Sequence, residues 1–290
     1  LSSSSAASDV YKRQTLNNEG SYDSYFPHVT TFEIDENQLH FVSTDASSQI
    51  FLEDAFIPLQ PYLSNKNQYY YLWDLRSGLP DFIESGNLKI QPHFFTEIPS
   101  GIDYSFHNED FILEVNKKSL FDTLYLQFTK EYDSLQEKLI YTFNDRTVPL
   151  RKDVTISLHD TDPQKNRYQV FKVDKKNRLD YVGSEQNTAG CFTFKTRELG
   201  TFTLDNDTIK PVIKPISWDR MGPKFMIKDL KSGIKSYHAT LDDHFLLMEY
   251  DVKKNILSAR PKNEEKPIKG LFVLEVEDNF GNKTKINKPL

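Results

Sequence analysis

The residues of this chain that could do chemistry are seven histidines, one cysteine and several paired carboxylates. His238-Ala-Thr-Leu-Asp242 has His-x-x-x-Asp spacing, which can supply two ligands of a zinc ion that activates water for hydrolysis. Its complement, His-x-His, occurs nowhere among His28, His40, His93, His107, His159, His238 and His244. Local geometry also opposes a site. If Asp242-Asp243 is a two-residue hairpin turn, Leu241 faces His244 and His238 pairs with Leu247. His238 and His244 then point to opposite faces of the sheet and cannot share an ion. The one cysteine, Cys191, excludes an internal disulfide and any cysteine-built zinc or iron–sulfur centre. Its alternating run, Cys191-Phe-Thr-Phe-Lys195, reads as a strand with Cys191 a buried small hydrophobe rather than a nucleophile.

Acidic pairs stand at Glu109-Asp110, Asp160 with Asp162, Asp205 with Asp207, and Asp242-Asp243. A glycosidase needs two carboxylates about 5–10 Å apart across a cleft, and neighbouring positions do not provide that. No Ca²⁺ loop of the D-x-[DN]-x-[DN]-G type is present. Solvated loop carboxylates are therefore expected, with a weak calcium site between domains at Asp205 and Asp207 as the alternative. The absence of G-x-S-x-G, a P-loop and G-x-G-x-x-G removes support for elbow hydrolases and nucleotide enzymes. Tyr69-Tyr-Tyr-Leu-Trp73 places Tyr69, Tyr71 and Trp73 on one strand face. Such a face is a sugar-stacking platform if exposed and part of a core if buried; core is expected.

These side chains must be positioned by strands. Phe32 and Ile34, Leu39 and Phe41, Phe111, Leu113 and Val115, Leu124, Leu126 and Phe128, and Phe272, Leu274 and Val276 all alternate with polar neighbours. Alanine is scarce while Phe and Tyr number 21 and 15, a balance that favours pleated sheet over helix. No long window carries a 3.6-residue stripe. Turn signals recur at 65–67, 77–80, 144–145, 162–163, 176–177, 242–243 and 279–282, a spacing that belongs to sandwiches and Greek keys. The expected class is all-β, in tandem antiparallel β-sandwiches.

Turn clusters at 96–103 (TEIPSGID) and 205–215 (DNDTIKPVIKP, read as an extended linker) divide the sequence into units at 15–102, 103–206 and 207–290. The first could lack part of its N-terminus, and the second reads as a Greek-key sandwich. The last is expected to hold seven strands near 212–217, 223–229, 234–241, 244–250, 254–260, 269–277 and 282–288. It has immunoglobulin-like size but no Cys–Trp–Cys spacing, so apolar packing alone must stabilise it. A net charge of −6 with mixed signs argues against nucleic acid, and no apolar run approaches the roughly 20 residues of a membrane span.

Residues 1–14 (LSSSSAASDVYKRQ) are similar to a translated sequencing adapter, and a true chain that begins further upstream is the expectation drawn from that. Elsewhere a family resemblance is carried by residues 71–81 (YLWDLRSGLPD), 119–124 (SLFDTL), 194–204 (FKTRELGTFTL), 207–215 (DTIKPVIKP), 231–235 (KSGIK), 247–251 (LMEYD) and 277–282 (EDNFGN). From Val29 to Leu290 the chain resembles the C-terminal, non-catalytic region of lysostaphin-type zinc metallopeptidases from Gram-negative envelopes. In that family an N-terminal domain carries His-x-x-x-Asp and His-x-His and cuts peptidoglycan cross-links, and β-sandwiches follow it.

The resemblance implies an accessory region in the cell envelope, partnered by its own upstream peptidase domain and in contact with peptidoglycan or an envelope protein. Zinc would belong to the parent's catalytic domain. No catalytic, cofactor-binding or metal-ligating residue is carried onto this chain, and His238 does not inherit the zinc role. The alternative is a cell-surface adhesin or carbohydrate-binding sandwich built around Trp73 or Trp218.

Overall fold

The computed structural model describes residues 32–290 except 161–166, 188–189, 221 and 260–267. The leader at 1–14 and the turn at 162–163 lie outside the described residues. Among those described there is no α-helix, and the single helical turn is a 3₁₀ segment at Leu75–Ser77. The strands pair in antiparallel sheets, joined by turns and loops. Contacts divide the protein into two compact units: Leu1–Asn108 with Ile112–Ile156 and Lys195–Thr201, and Glu109–Phe111 with Ser157–Phe194 and Phe202–Leu290.

The first unit opens with eight strands. They are β1 (Phe32–Asp35), β2 (Gln38–Ser43), β3 (Ser48–Leu52), β4 (Ala55–Leu59), β5 (Leu63–Asn65), β6 (Gln68–Asp74), β7 (Phe82–Ser85) and β8 (Leu88–Ile90). Two four-stranded sheets result, in the orders β1-β2-β6-β5 and β4-β3-β7-β8. In the lettering of immunoglobulin-type sandwiches, with the eight strands taken in sequence order as A, B, C, C′, D, E, F and G, these sheets are ABED and C′CFG. Alternation fixes which faces meet: Leu39, Phe41, Ile50, Tyr71 and Ile83 are at most 2% exposed and form one core.

Eleven strands follow. They are β9 (Phe94–Ile98), β10 (Tyr104–His107), β11 (Phe111–Val115), β12 (Leu124–Asp133), β13 (Lys138–Phe143), β14 (Pro149–His159), β15 (Gln169–Val173), β16 (Leu179–Tyr181), β17 (Glu185–Gln186), β18 (Cys191–Glu198) and β19 (Gly200–Asp205). In the first unit β12 pairs with both β9 and β13, and β10 pairs with β11. In the second, β15 pairs with β16 and β17 with β18. The expected turn cluster at 96–103 is partly strand, because Thr96–Ile98 continue β9 and pair with β12. Phe111, Leu113, Val115, Leu124, Leu126 and Phe128 are all buried, as their period-2 spacing requires.

The final strands are β20 (Val212–Ser217), β21 (Lys224–Lys228), β22 (Ile234–Leu241), β23 (His244–Phe245), β24 (Met248–Asp251), β25 (Ile256–Ala259), β26 (Leu271–Asp278) and β27 (Lys283–Pro289). Their sheets, β20-β21-β25-β24 and β23-β22-β26-β27, repeat the ABED and C′CFG order. Eight strands stand where seven were expected. The run at 244–250 breaks at Leu246-Leu247 as the backbone leaves one sheet for the other, and Leu246 turns into the core. The extended linker is also shorter than 205–215. Pro215 sits within β20, an edge strand, next to a register shift, a place where a missing N–H is tolerated.

This last core has Phe225, Phe272, Leu274, Val276 and Leu257 at 0% exposure. Phe225 and Phe272 stack across the two sheets with centroids 5.3 Å apart, and Trp218 meets both edge-on. No disulfide is needed where each large side chain contributes about 1.5–3 kcal/mol.

Candidate functional site

The strand order brings three segments to one end of the last sandwich: the approach to β20, the β21–β22 loop and the end of β26. Each delivers an aspartate. Asp207 precedes β20, Asp229 follows β21, and Asp278 is the last residue of β26. One carboxylate oxygen from each lies within 4.8 Å of the other two. Asp207 is 2% exposed and Asp278 is fully buried, while Asp229 is partly buried.

Backbone N–H groups explain most of this placement. Asp229 Oδ1 accepts from Lys231, Ser232 and Gly233, at 3.0, 2.8 and 2.8 Å. Asp278 Oδ1 accepts from Phe280 and Asn282, and its Oδ2 accepts from Asn282 Nδ2. Gly281 supplies the left-handed residue of that turn, at φ +81°. Asp207 Oδ1 accepts from Ile209 N–H, and its Oδ2 from Ser232 N–H at 3.1 Å. Asn282 Nδ2 donates to the Asp207 carbonyl, and Asn279 Nδ2 to that of Ser232, so the three segments are sewn together. Asp229 Oδ2 is the exception: it is buried and has no hydrogen-bond partner among the described residues.

Beside the cluster, Lys231 Nζ reaches Asp205 Oδ2 at 2.9 Å. Phe280 stacks on Phe171 and meets Tyr181 edge-on. Burial there pushes the Tyr181 phenol above its ordinary pKa. Asp205 and Asp207, paired in the sequence, part company: the first turns to a lysine, the second to two other aspartates. Asp229 and Asp278 went unrecognised because both partners lie far along the chain. Their signal was present in Asp229-Leu-Lys-Ser-Gly233 and Asp278-Asn-Phe-Gly-Asn282, each an aspartate placed to cap the turn after it.

Among the described residues, no histidine gathers with these groups. Asp242 and Asp243 form the expected two-residue turn, at φ +48° and +60°, with Leu241 opposite His244. β23 ends at Phe245, so the expected pairing of His238 with Leu247 does not form; His238 lies opposite Glu275 and its ring rests near Phe245. His244 Nδ1 contacts the Asp242 carbonyl, and Asp242 Oδ1 accepts from Leu271 N–H. Cys191 is partly exposed rather than buried, because its strand turns Phe192 and Phe194 into the core and Cys191 to the other face.

The aromatic strand resolves in favour of core. Tyr71 is fully buried, stacks on Phe41 with centroids 4.9 Å apart and donates to the Asp45 carbonyl. Trp73 packs against the same core and donates from Nε1 to the Gly78 carbonyl. Trp218 packs on the last core, with Lys288 Nζ 4.5 Å from its ring. A different aromatic face is open instead. On β3, β4 and β7, Phe51, Phe56 and Phe82 point away from the core. Phe51 stacks on Phe82 at 4.6 Å, Phe56 is half exposed, and Lys89 Nζ sits 3.4 Å over Phe82.

Residues 99–207 match the family model of the Zu5-like domain. No curated protein matches the chain.

Proposed function

We propose that this chain is a non-catalytic scaffold of tandem β-sandwiches, the accessory region of a cell-wall peptidoglycan metallopeptidase whose zinc-bearing domain lies upstream in the parent protein. The observation that carries the scaffold reading is the repeated ABED/C′CFG order at both ends of the chain, with a buried aromatic stack in the core of each sandwich. The Zu5-like match at 99–207 lies within a few residues of the 103–206 segment read from the turn clusters, and supports a third module between them. The peptidase parentage rests on the ordered sequence resemblance from Val29 to Leu290. In this reading the modules hold and present the peptidase in the envelope, in contact with peptidoglycan or an envelope protein. No helix among the described residues is long and apolar enough to cross a membrane.

The purified chain is expected to leave peptidoglycan uncut, and to raise cross-link cleavage when supplied in cis to a lysostaphin-type domain compared with that domain alone. Zinc-dependent cleavage by the chain itself overturns the proposal. A second reading, a carbohydrate-binding surface module, is favoured by the exposed Phe51–Phe56–Phe82 face. Glycan-array binding that is lost on Phe56→Ala would select it.

A further inference from the structure

We infer that the outward face of β20 and β21 docks the last sandwich onto a lipid surface bearing anionic phosphate headgroups. Alternation turns Phe225 and Ile227 of β21 into the core and leaves Lys224, Met226 and Lys228 exposed on the opposite face. Cross-strand register sets Val212 of β20 opposite Lys228, and Lys214 opposite Met226, so ammonium and apolar groups alternate across the two strands. Val212 is 54% exposed and Met226 41%. Lys210, also exposed, extends the basic row just ahead of β20. β21 lies between β20 and β25, so its two lysines are not guards of a sheet edge.

Among the described residues this face is charged differently from that of the other sheet. There Lys235 reaches Glu277 at 3.1 Å and Lys283 reaches Glu275 at 2.8 Å, so the ladder neutralises itself. On β20 and β21 the lysines stand opposite Met226, Val212, Ser217 and Ser258, none of them a carboxylate. Glu249 and Asp251 lie on β24, two strand spacings or roughly 10 Å from β21, and Asp251 is paired with Lys254. The β20–β21 half of the face therefore offers its positive charge to an outside partner. Lysine is a compact ammonium on a flexible stem, suited to scattered phosphates rather than to one directional carboxylate. Val212 and Met226 suit the acyl boundary beneath the headgroups, where lysine stems lie along apolar neighbours and their ammoniums reach phosphate. A sugar would call for exposed aromatic faces, and neither strand turns an aromatic ring outward. Such docking is independent of the peptidase parentage.

The test is co-sedimentation of the whole chain with vesicles of phosphatidylcholine alone and of phosphatidylcholine with about 30 mol% phosphatidylglycerol, at low and high salt. Binding to the anionic vesicles only, released by high salt, is expected. Lys214→Gln together with Lys228→Gln should weaken it at least about tenfold, and Met226→Gln about threefold, each with an unchanged melting temperature. Lys235→Gln, on the other sheet, should leave binding unchanged. Should the paired variant fail to fold by circular dichroism, Lys210→Gln with Lys224→Gln takes its place. No binding to anionic vesicles, equal binding to neutral ones, or a folded paired variant that binds like the parent overturns the assignment. Tighter binding to soluble polyglutamate than to the anionic vesicles overturns it in favour of an acidic polypeptide.

Discussion

The first and last sandwiches share a strand order and differ in how they close the same end. In the first, the β2–β3 loop and the end of β7 meet through Ser43, Ser48 and Ser85, which are buried and hydrogen-bond in a series of neutral hydroxyls. In the last, the end of β26 carries Asp278 where the end of β7 carries Ser85, and the β21–β22 loop carries Asp229. Hydroxyls both donate and accept, so the three link to one another, and one backbone donor, Asp45 N–H, reaches Ser43 Oγ. Carboxylates only accept, so they must recruit backbone N–H groups, and they pull three loops into register to do so. One topology thus tolerates a closure built chiefly on linked side-chain hydroxyls and one built on backbone N–H groups. The cores differ too: Phe41 and Tyr71 stack as directly paired residues within one sheet, whereas Phe225 and Phe272 stack between sheets.

The sharpest way to break the comparison is at the inter-sheet stack. Phe272→Ala should cost about 3–5 kcal/mol by urea unfolding, with the loss of hydrogen-exchange protection centred on β21 and β26. Next come the two closures. Asp278→Ala strands the Phe280 and Asn282 donors and should cost about 2–4 kcal/mol, while Ser85→Ala, with Ser43 and Ser48 remaining, should cost about 1 kcal/mol. Equal losses at the two positions would erase the distinction between the closures. Tyr71→Phe keeps the ring stack and removes one hydrogen bond, for about 1 kcal/mol in the same assay.

The smallest effect is electrostatic. The Arg76 guanidinium, donating to both Asp74 oxygens, holds that carboxyl at about 2. Its folded pKa lies below its unfolded one, so the pair favours the fold above the ordinary aspartate range, and that support is lost as pH falls toward 2. Carbon-detected NMR titration should place Asp74 near that value and return it toward the ordinary range in Arg76→Ala. Asp74 is on a partly exposed pair, so the stability change should be slight. On the last sandwich Glu275 and Glu277 are lowered in turn by hydrogen bonds from Lys283 and Lys235, and weaken in acid in the same sense.

Strands were the legible part of this fold because a period of two writes burial directly into the sequence: Phe272, Leu274 and Val276 are all fully buried. Turns were legible where chemistry forces φ > 0, as at Lys66-Asn67 and Asp242-Asp243. The identity of strand order between the two ends was not, since it is a matter of which strands pair across long stretches of sequence. The break at Leu246-Leu247 was hidden by two apolar residues that read equally well as a continued strand. The aspartate cluster was hidden for the first of these reasons, and Asp207 alone gave no hint of its partners.

The ladder that clasps β27 to β26 has a mechanical consequence. Its antiparallel register runs unbroken from Leu271 opposite Pro289 to Glu277 opposite Lys283. A force drawn along the axis of β27 loads all of those rungs at once, in shear, and they must rupture together. A force drawn sideways would instead unzip them one after another. Wherever the protein is tethered under tension, the direction of the tether decides how long this strand endures.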